Sequence, residues 1–238
     1  MKVNNWKNIL IATTLLLYMN NAGMSQTSPK GEFWGAYITN TKLTERFSVW
    51  NDVHYTTNAF FLTRHGLTFW LKDNIDFTAG YAYVRASTHF TNRLSRSEYR
   101  LWGQIIGRFD ISKRWNYQLR LRHDGRFRDE IIGEEILNDK IFYHRARVMN
   151  DLRFTIKEYN KGKLHLDLID EILFNFDDQI QNGLDQNRLY LLLGYSTKKL
   201  TLLGGAHSRM VPTGGEMKYF YGATLWLTHT IDLQRKNK

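Results

Sequence analysis

Trp115-Asn116-Tyr117-Gln118-Leu119-Arg120-Leu121-Arg122 sets Trp115, Tyr117, Leu119 and Leu121 against Asn116, Gln118, Arg120 and Arg122. Successive side chains of a β-strand point to opposite faces, so this stretch has one apolar face and one polar, cationic face. Near the C-terminus, Tyr219, Tyr221, Ala223, Leu225, Leu227 and Ile231 alternate in the same way with Lys218, Phe220, Gly222, Thr224 and Thr228. Working outward from these two stretches, the same period of two recurs between turn-forming clusters. It predicts eleven strands at 32–39, 46–56, 60–71, 75–86, 96–109, 114–128, 140–157, 162–176, 185–197, 199–210 and 217–232.

Composition supports two-faced strands. Pro 2, an aromatic share of 14% and a mean hydropathy of −0.47 suit long amphipathic strands better than a helical bundle. At the N-terminus, Lys2 and Lys7 precede an apolar run from Ile9 to Met19, with Gly23 and Ser25 beyond it. This is the pattern of a secretory signal peptide, expected to be cleaved after Ser25, so that 26–238 form a single domain. The apolar run falls well short of the ~20 residues of a spanning helix. Beyond it no stretch resembles such a helix, so any membrane span is β. With Cys 0 there is neither a lipoprotein cysteine nor a disulfide, and an exported fold has to be held by hydrogen bonding and packing. A closed, up-and-down antiparallel transmembrane β-barrel in a Gram-negative outer membrane supplies both.

Several segments exceed the ~9 to 11 residues a strand needs to cross a bilayer. Trp34, Trp50, Trp70, Trp115, Tyr55 and Tyr143 lie towards strand ends, where interfacial girdles are expected, and Trp102 and Trp226 fit less well. Short connections near 72–74, 110–113, 160–162 and 197–198 interleave with longer ones near 87–95, 129–139, 177–184 and 211–216. That alternation is expected of periplasmic turns and outer loops, with the C-terminus on the periplasmic side. The first hairpin breaks it. Bacterial single-chain barrels have even strand numbers, so eleven segments imply ten or twelve strands. A soluble secreted β-sandwich binding protein is the rival architecture, since its strands also alternate.

Two arginine-rich stretches carry a family resemblance. They are Leu119-Arg120-Leu121-Arg122-His123-Asp124-Gly125-Arg126-Phe127-Arg128 and Tyr143-His144-Arg145-Ala146-Arg147-Val148-Met149-Asn150-Asp151-Leu152-Arg153-Phe154. With the early Trp34 and Glu98-Tyr99-Arg100-Leu101-Trp102, they resemble the uncharacterised barrel family called domain of unknown function 2490. The resemblance implies an outer-membrane barrel and, because the family has no assigned activity, no catalytic residue. A weaker likeness is to monomeric porins for acidic oligosaccharides, whose lumens are lined with arginine.

Period two places Arg120, Arg122, Asp124, Arg126 and Arg128 on one face, and Arg145, Arg147, Asp151 and Arg153 on one face of the next strand. Arg100, Gln104 and Arg108 join from the preceding strand, with Asp167 and Glu171 from the following one. A guanidinium facing the hydrocarbon midplane costs about 2 to 4 kcal/mol, so these groups are expected to point inward. The plainer reading is that they pair across a narrow lumen and fill it, leaving a closed, structural barrel. The sharper one leaves arginines unpaired, for an anion-selective channel or an acidic-glycan porin.

An outer-membrane lipid-modifying enzyme is a further alternative, suggested by His207-Ser208 and by His123, His144 and His165. Adjacent strand residues face opposite ways, however, so no catalytic residue is assigned. Asp177-Asp178 with Asp185 match no calcium-loop spacing, and Gly204-Gly205 and Gly214-Gly215 lack the P-loop lysine. No metal or cofactor is therefore expected. The net charge of +10, or +8 without Lys2 and Lys7, points to lipopolysaccharide phosphates or a small anionic solute or acidic oligosaccharide. Export argues against nucleic acid, and a monomer among outer-membrane lipids is expected. The loop from Glu130 to Lys140, with Glu134-Glu135, assigns no specificity.

Overall fold

The computed structural model describes residues 30–57, 59–87, 94–133, 135–177, 183–213 and 215–234. The signal-peptide segment, Asp178, Gly214 and Glu134 lie outside them. Eleven strands follow in chain order: β1 (Lys30–Lys42), β2 (Phe47–Thr56), β3 (Phe60–Lys72), β4 (Ile75–Ser87), β5 (Ser95–Asp110) and β6 (Trp115–Ile132). They continue with β7 (Glu135–Tyr159), β8 (Gly162–Phe176), β9 (Leu184–Ser196), β10 (Leu200–Thr213) and β11 (Glu216–Asp232). Each strand pairs antiparallel with the next, and β1 pairs with β11 to close the barrel. No helix among the described residues is long and apolar enough to cross a membrane.

The eleven segments read from the alternation are the eleven strands, and the even-number rule does not hold here. β1 is a full strand of 13 residues. An odd number of up-and-down strands brings first and last together in the same direction, and β1 and β11 do pair in parallel. Their register runs unbroken from Lys30 opposite Phe220 to Lys42 opposite Asp232.

The described turns at 43–46, 73–74, 111–114, 160–161 and 197–199 share one rim with the end of β11, and β2, β4, β6, β8 and β10 end at the other. Two connections expected to be long are instead strand. The 129–139 segment continues the β6–β7 hairpin to a tight turn whose Gly133 has φ 61°, with a register shift between Asp129 and Ile131. At 211–216, β10 and β11 run on to a turn holding Gly215 at φ 85°.

Outward positions are apolar. Leu67, Leu101, Leu121, Leu191, Leu202 and Leu225 are all exposed on the middle of the outer wall. Towards the rims the wall turns aromatic. Tyr83, Tyr99, Phe127 and Phe142 lie opposite one another across β4 to β7, and Phe47, Phe69 and Phe77 across β2 to β4. These are the directly opposed cross-strand neighbours that pack best on a pleated face. Polar pairs interrupt the wall: Tyr117 Oη donates to Asn150 Oδ1 at 2.6 Å, Asn187 Nδ2 donates to Asp170 Oδ1 at 2.7 Å, and His65 Nδ1 lies 2.8 Å from Asn51 Oδ1.

The tryptophan girdle is corrected by the structure. Trp34 and Trp102 are buried inside, as is Tyr143, while Trp50 and Trp70 turn inward to donate to Asp52 and Ser48. Of the proposed anchors only Trp115 and Tyr55 face outward. For Trp34, Trp50 and Trp70 the reason is the indole N–H, which finds His54 Nδ1, Asp52 and Ser48 as acceptors in the polar interior.

Trp34, Met149, Ile169, Tyr190, Leu192 and Leu203 form an apolar plug against the inner wall, with Phe60 and Trp226 packed on it. Glycine permits the closest strand approaches around it. A Cβ on Gly80 would lie 1.9 Å from the His65 carbonyl oxygen, and one on Gly222 the same distance from that of Glu32, at the β1–β11 seam.

Candidate functional site

The inward faces of β1 to β11 carry charge on almost every strand, and the ladder register decides who meets whom. Arg122 and Asp124 are two residues apart on β6 and share its inner face. Arg145 and Arg147 come from the neighbouring β7, where Asp124 lies opposite Arg145. Three guanidinium groups converge on this one carboxylate: Arg122 Nε at 2.7 Å, Arg147 Nε at 2.8 Å and Arg145 Nη2 at 3.1 Å. Asp124 has no solvent exposure, so the cluster is desolvated and charge-assisted hydrogen bonds there are strong.

Glu171 forms a second node, accepting from Arg120 at 2.7 Å and Arg188 at 2.9 Å, with Arg147 at 3.7 Å linking it to the first. Glu98 receives Arg126 through two hydrogen bonds of 2.6 and 2.8 Å and Arg100 through one of 2.5 Å. Asp167 is gripped by Arg153 at 2.9 and 2.8 Å, and Arg108 reaches Asp76 at 2.5 Å. Asp151 is buried beside these groups, its Oδ1 without a hydrogen-bond partner among the described residues. Thus Arg100, Arg108, Arg120, Arg122, Arg126, Arg145, Arg147, Arg153, Asp124, Asp151, Asp167 and Glu171 all lie on the inner wall.

The lattice extends through residues not singled out in the sequence. Asp52 is held by Arg64 through Nε at 2.9 Å from both carboxylate oxygens and Nη2 at 2.6 Å from Oδ2, with the ring of His54 at 3.5 Å. Glu32 pairs with Arg209, and Asp185 with Arg145 at 2.9 Å. Their signal was present: Asp52-Val53-His54-Tyr55 and Leu62-Thr63-Arg64 alternate as plainly as β6 does. Arginine-rich strands drew attention because one acid on another strand is invisible until register is known.

Towards the rim where β2 ends, the lattice opens into a cavity of about 490 Å³. Its floor is the plug, with Trp34, Tyr190 and Trp226, and its walls carry Arg96, Arg128 and Arg188. Arg188 lies over the Trp34 ring at 4.9 Å, and Tyr143 lies between Arg126 and Arg128, at 4.8 and 4.6 Å from its centroid. Neither Arg96 nor Arg128 forms a salt bridge among the described residues. The volume falls within the ~300 to 1,000 Å³ typical of small-molecule sites.

A model of the family described as protein of unknown function (DUF2490) matches residues 31–205. The chain belongs to DUF2490. The match runs from β1 into β10 and takes in both arginine-rich stretches, so the charge lattice apart from Arg209 falls within the DUF2490 region. No curated protein and no solved structure matches the chain, and the likeness to oligosaccharide porins has no relative behind it.

The histidines of this DUF2490 barrel divide by face. His207 is buried, with Nδ1 2.8 Å from Thr224 Oγ1 and Nε2 3.6 Å from Glu32, while Ser208 is on the opposite face. His123 and His144 lie together on the outer wall, 3.0 Å apart. His165 faces inward onto Asp167 at 2.6 Å. Asp185 is taken up by Arg145, and no group of three or more metal-ligating side chains occurs among the described residues.

Proposed function

We propose that this DUF2490 protein is exported and spans a Gram-negative outer membrane as a non-conducting barrel, shut at its waist. The observation that carries this reading is burial at mid-height: Asp124 and Leu192 are 0% exposed and Arg122 is 3% exposed. A water-filled pore would wet its lining, whereas these waist side chains are shielded from solvent. The apolar outer wall with its aromatic margins supports membrane insertion, with the end of β11 facing the periplasm and lipid, including lipopolysaccharide, as the surrounding partner. In planar bilayers the purified protein is expected to give no steady conductance. Ohmic, anion-selective steps would overturn the shut barrel in favour of the channel. Fractionation with outer membranes and a gel shift between unboiled and boiled samples test the location, and detergent-free extraction would refute it.

A second role is favoured by one specific observation, that among the described residues neither Arg96 nor Arg128 at the cavity wall forms a salt bridge with a carboxylate. The cavity suits a small anionic solute with an apolar body, its charge on these arginines and its body on Trp34 and Trp226. Titration of the folded protein with carboxylate- or phosphate-bearing amphiphiles, followed by tryptophan fluorescence, tests it. A flat response across both would reject it.

A further inference from the structure

A serine, a histidine and an aspartate meet at the opposite rim, near the 197–199 turn. His165 and Asp167 share the inner face of β8, and Ser196 ends β9 opposite Lys163, two places along from Gly194 opposite His165. His165 Nδ1 lies 2.6 Å from Asp167 Oδ1, and its Nε2 lies 2.7 Å from Ser196 Oγ. With the Nδ1 proton donated to the carboxylate, Nε2 is left as the acceptor of the serine proton. That connection is how an imidazole oriented by a carboxylate activates a hydroxyl.

Three neighbours fix it. Arg153 holds the fully buried Asp167 through its two hydrogen bonds. A Cβ on Gly194 would lie 2.2 Å from His165 Cε1, so the glycine makes the space in which the ring sits. Thr201 Oγ1 donates to Ser196 Oγ at 3.0 Å from the facing β10. His165 is 1% exposed, whereas Ser196 is half-buried at the rim, so the base is shielded and the hydroxyl is reachable.

We propose that Ser196, His165 and Asp167 form a nucleophilic site that hydrolyses short-chain carboxylic esters. Ser196 Oγ adds to the carbonyl carbon as its proton passes to His165 Nε2, and Thr201 Oγ1 turns to donate to the oxyanion. Collapse breaks the ester C–O bond, and the leaving alcohol takes the proton from Nε2. Water then adds to the acyl-serine with the same proton transfers, releasing the carboxylic acid and restoring the hydroxyl. Thr155 lies opposite His165 and Thr201 opposite Ser196, so the surroundings are hydroxyl-lined and confined, which selects a short acyl group.

Folded barrel is treated with a fluorophosphonate, the modified residue is located by mass spectrometry, and p-nitrophenyl acetate hydrolysis is followed alongside. The expected result is modification of Ser196 and not of the exposed turn serine Ser112, lost in Ser196→Ala, with hydrolysis lost in the same variant. His165→Gln is expected to slow both by about a hundredfold or more, the contribution of a general base. Absence of a Ser196 adduct, equal modification of Ser112, or an unchanged rate in folded His165→Gln would overturn the proposal. The comparison of Ser196 with Ser112 is made within the wild-type protein and decides the matter even where His165→Gln does not fold. Conductance bears on none of these outcomes.

Discussion

Arg209 of β10 reaches over β11 to Glu32 of β1, placing its Nε 3.2 Å from Oε2 and its Nη2 on Oε1. Both residues are buried, and 177 positions of sequence separate them. The pair therefore clasps the parallel seam from inside. Arg209→Ala should leave Glu32 as a buried carboxylate with only His207 nearby, a loss of about 3 to 5 kcal/mol. Urea unfolding followed by the gel shift measures it. The double variant Glu32→Gln with Arg209→Gln should recover part of the loss, and additive losses would show that the two do not act as a pair.

Asp124 accepts hydrogen bonds from three guanidinium groups at the waist. Replacing it with alanine should leave Arg122, Arg145 and Arg147 repelling one another and admit water between them. The expected consequence is an anion-selective leak in planar bilayers, against the silence expected of the wild type. If folded Asp124→Ala is equally silent, the apolar plug alone keeps the barrel shut and the charge lattice has another purpose.

Arg96 and Arg128 can be removed without stranding a carboxylate among the described residues. The double alanine variant should weaken binding of an anionic amphiphile by roughly ten- to a hundredfold, as expected for losing hydrogen bonds to a charged group. Its unfolding free energy should fall by no more than about 1 to 2 kcal/mol, since no carboxylate is stranded and the loss is of packing such as Arg128 on the Tyr143 ring. Fluorescence titration and urea unfolding on the same preparations separate the two effects, and equal affinity in the variant would remove these arginines from the site.

Gly80 and Gly204 make a controlled comparison. A Cβ at Gly80 meets the His65 carbonyl oxygen at 1.9 Å, whereas one at Gly204 has its nearest contact at 3.7 Å, with Leu225 Cδ1. Gly80→Ala should fail to produce the heat-modifiable form on refolding and Gly204→Ala should behave as wild type. Similar yields from both would mean that the β3–β4 pair can move apart at no great cost.

The strands were legible because alternation is a local property: every segment read from the sequence overlaps its strand closely, β8 at both ends. What alternation could not settle was anything depending on a partner strand. The even-number rule pushed the count away from eleven because sequence carries no sign of a parallel closure. Trp34, Trp50 and Trp70 suggested a girdle by their position along the chain, yet the pleat turns them inward and the acceptors Asp52 and Ser48 explain why. Length misled at 129–139, where charged residues continue a hairpin and do not form a loop. Register is also why the site was only half visible. The arginines of β6 and β7 stood out, but Glu98 as the acceptor of Arg126 and Ser196 as the neighbour of His165 needed the ladder, being 28 and 31 residues from their partners.

The seam between β1 and β11 has a consequence for how such a cylinder comes together and apart. Every other pair of neighbours is tied by a hairpin, whereas these two edges meet only after the whole chain has wound round, and slanted parallel hydrogen bonds hold them slightly less well per residue. The wall therefore has a built-in zip line, the join expected to close last, since it alone waits for both ends of the chain. Along it amide protons of β1 should exchange earliest, and the clasp of Glu32 and Arg209 sets how long that gate stays shut.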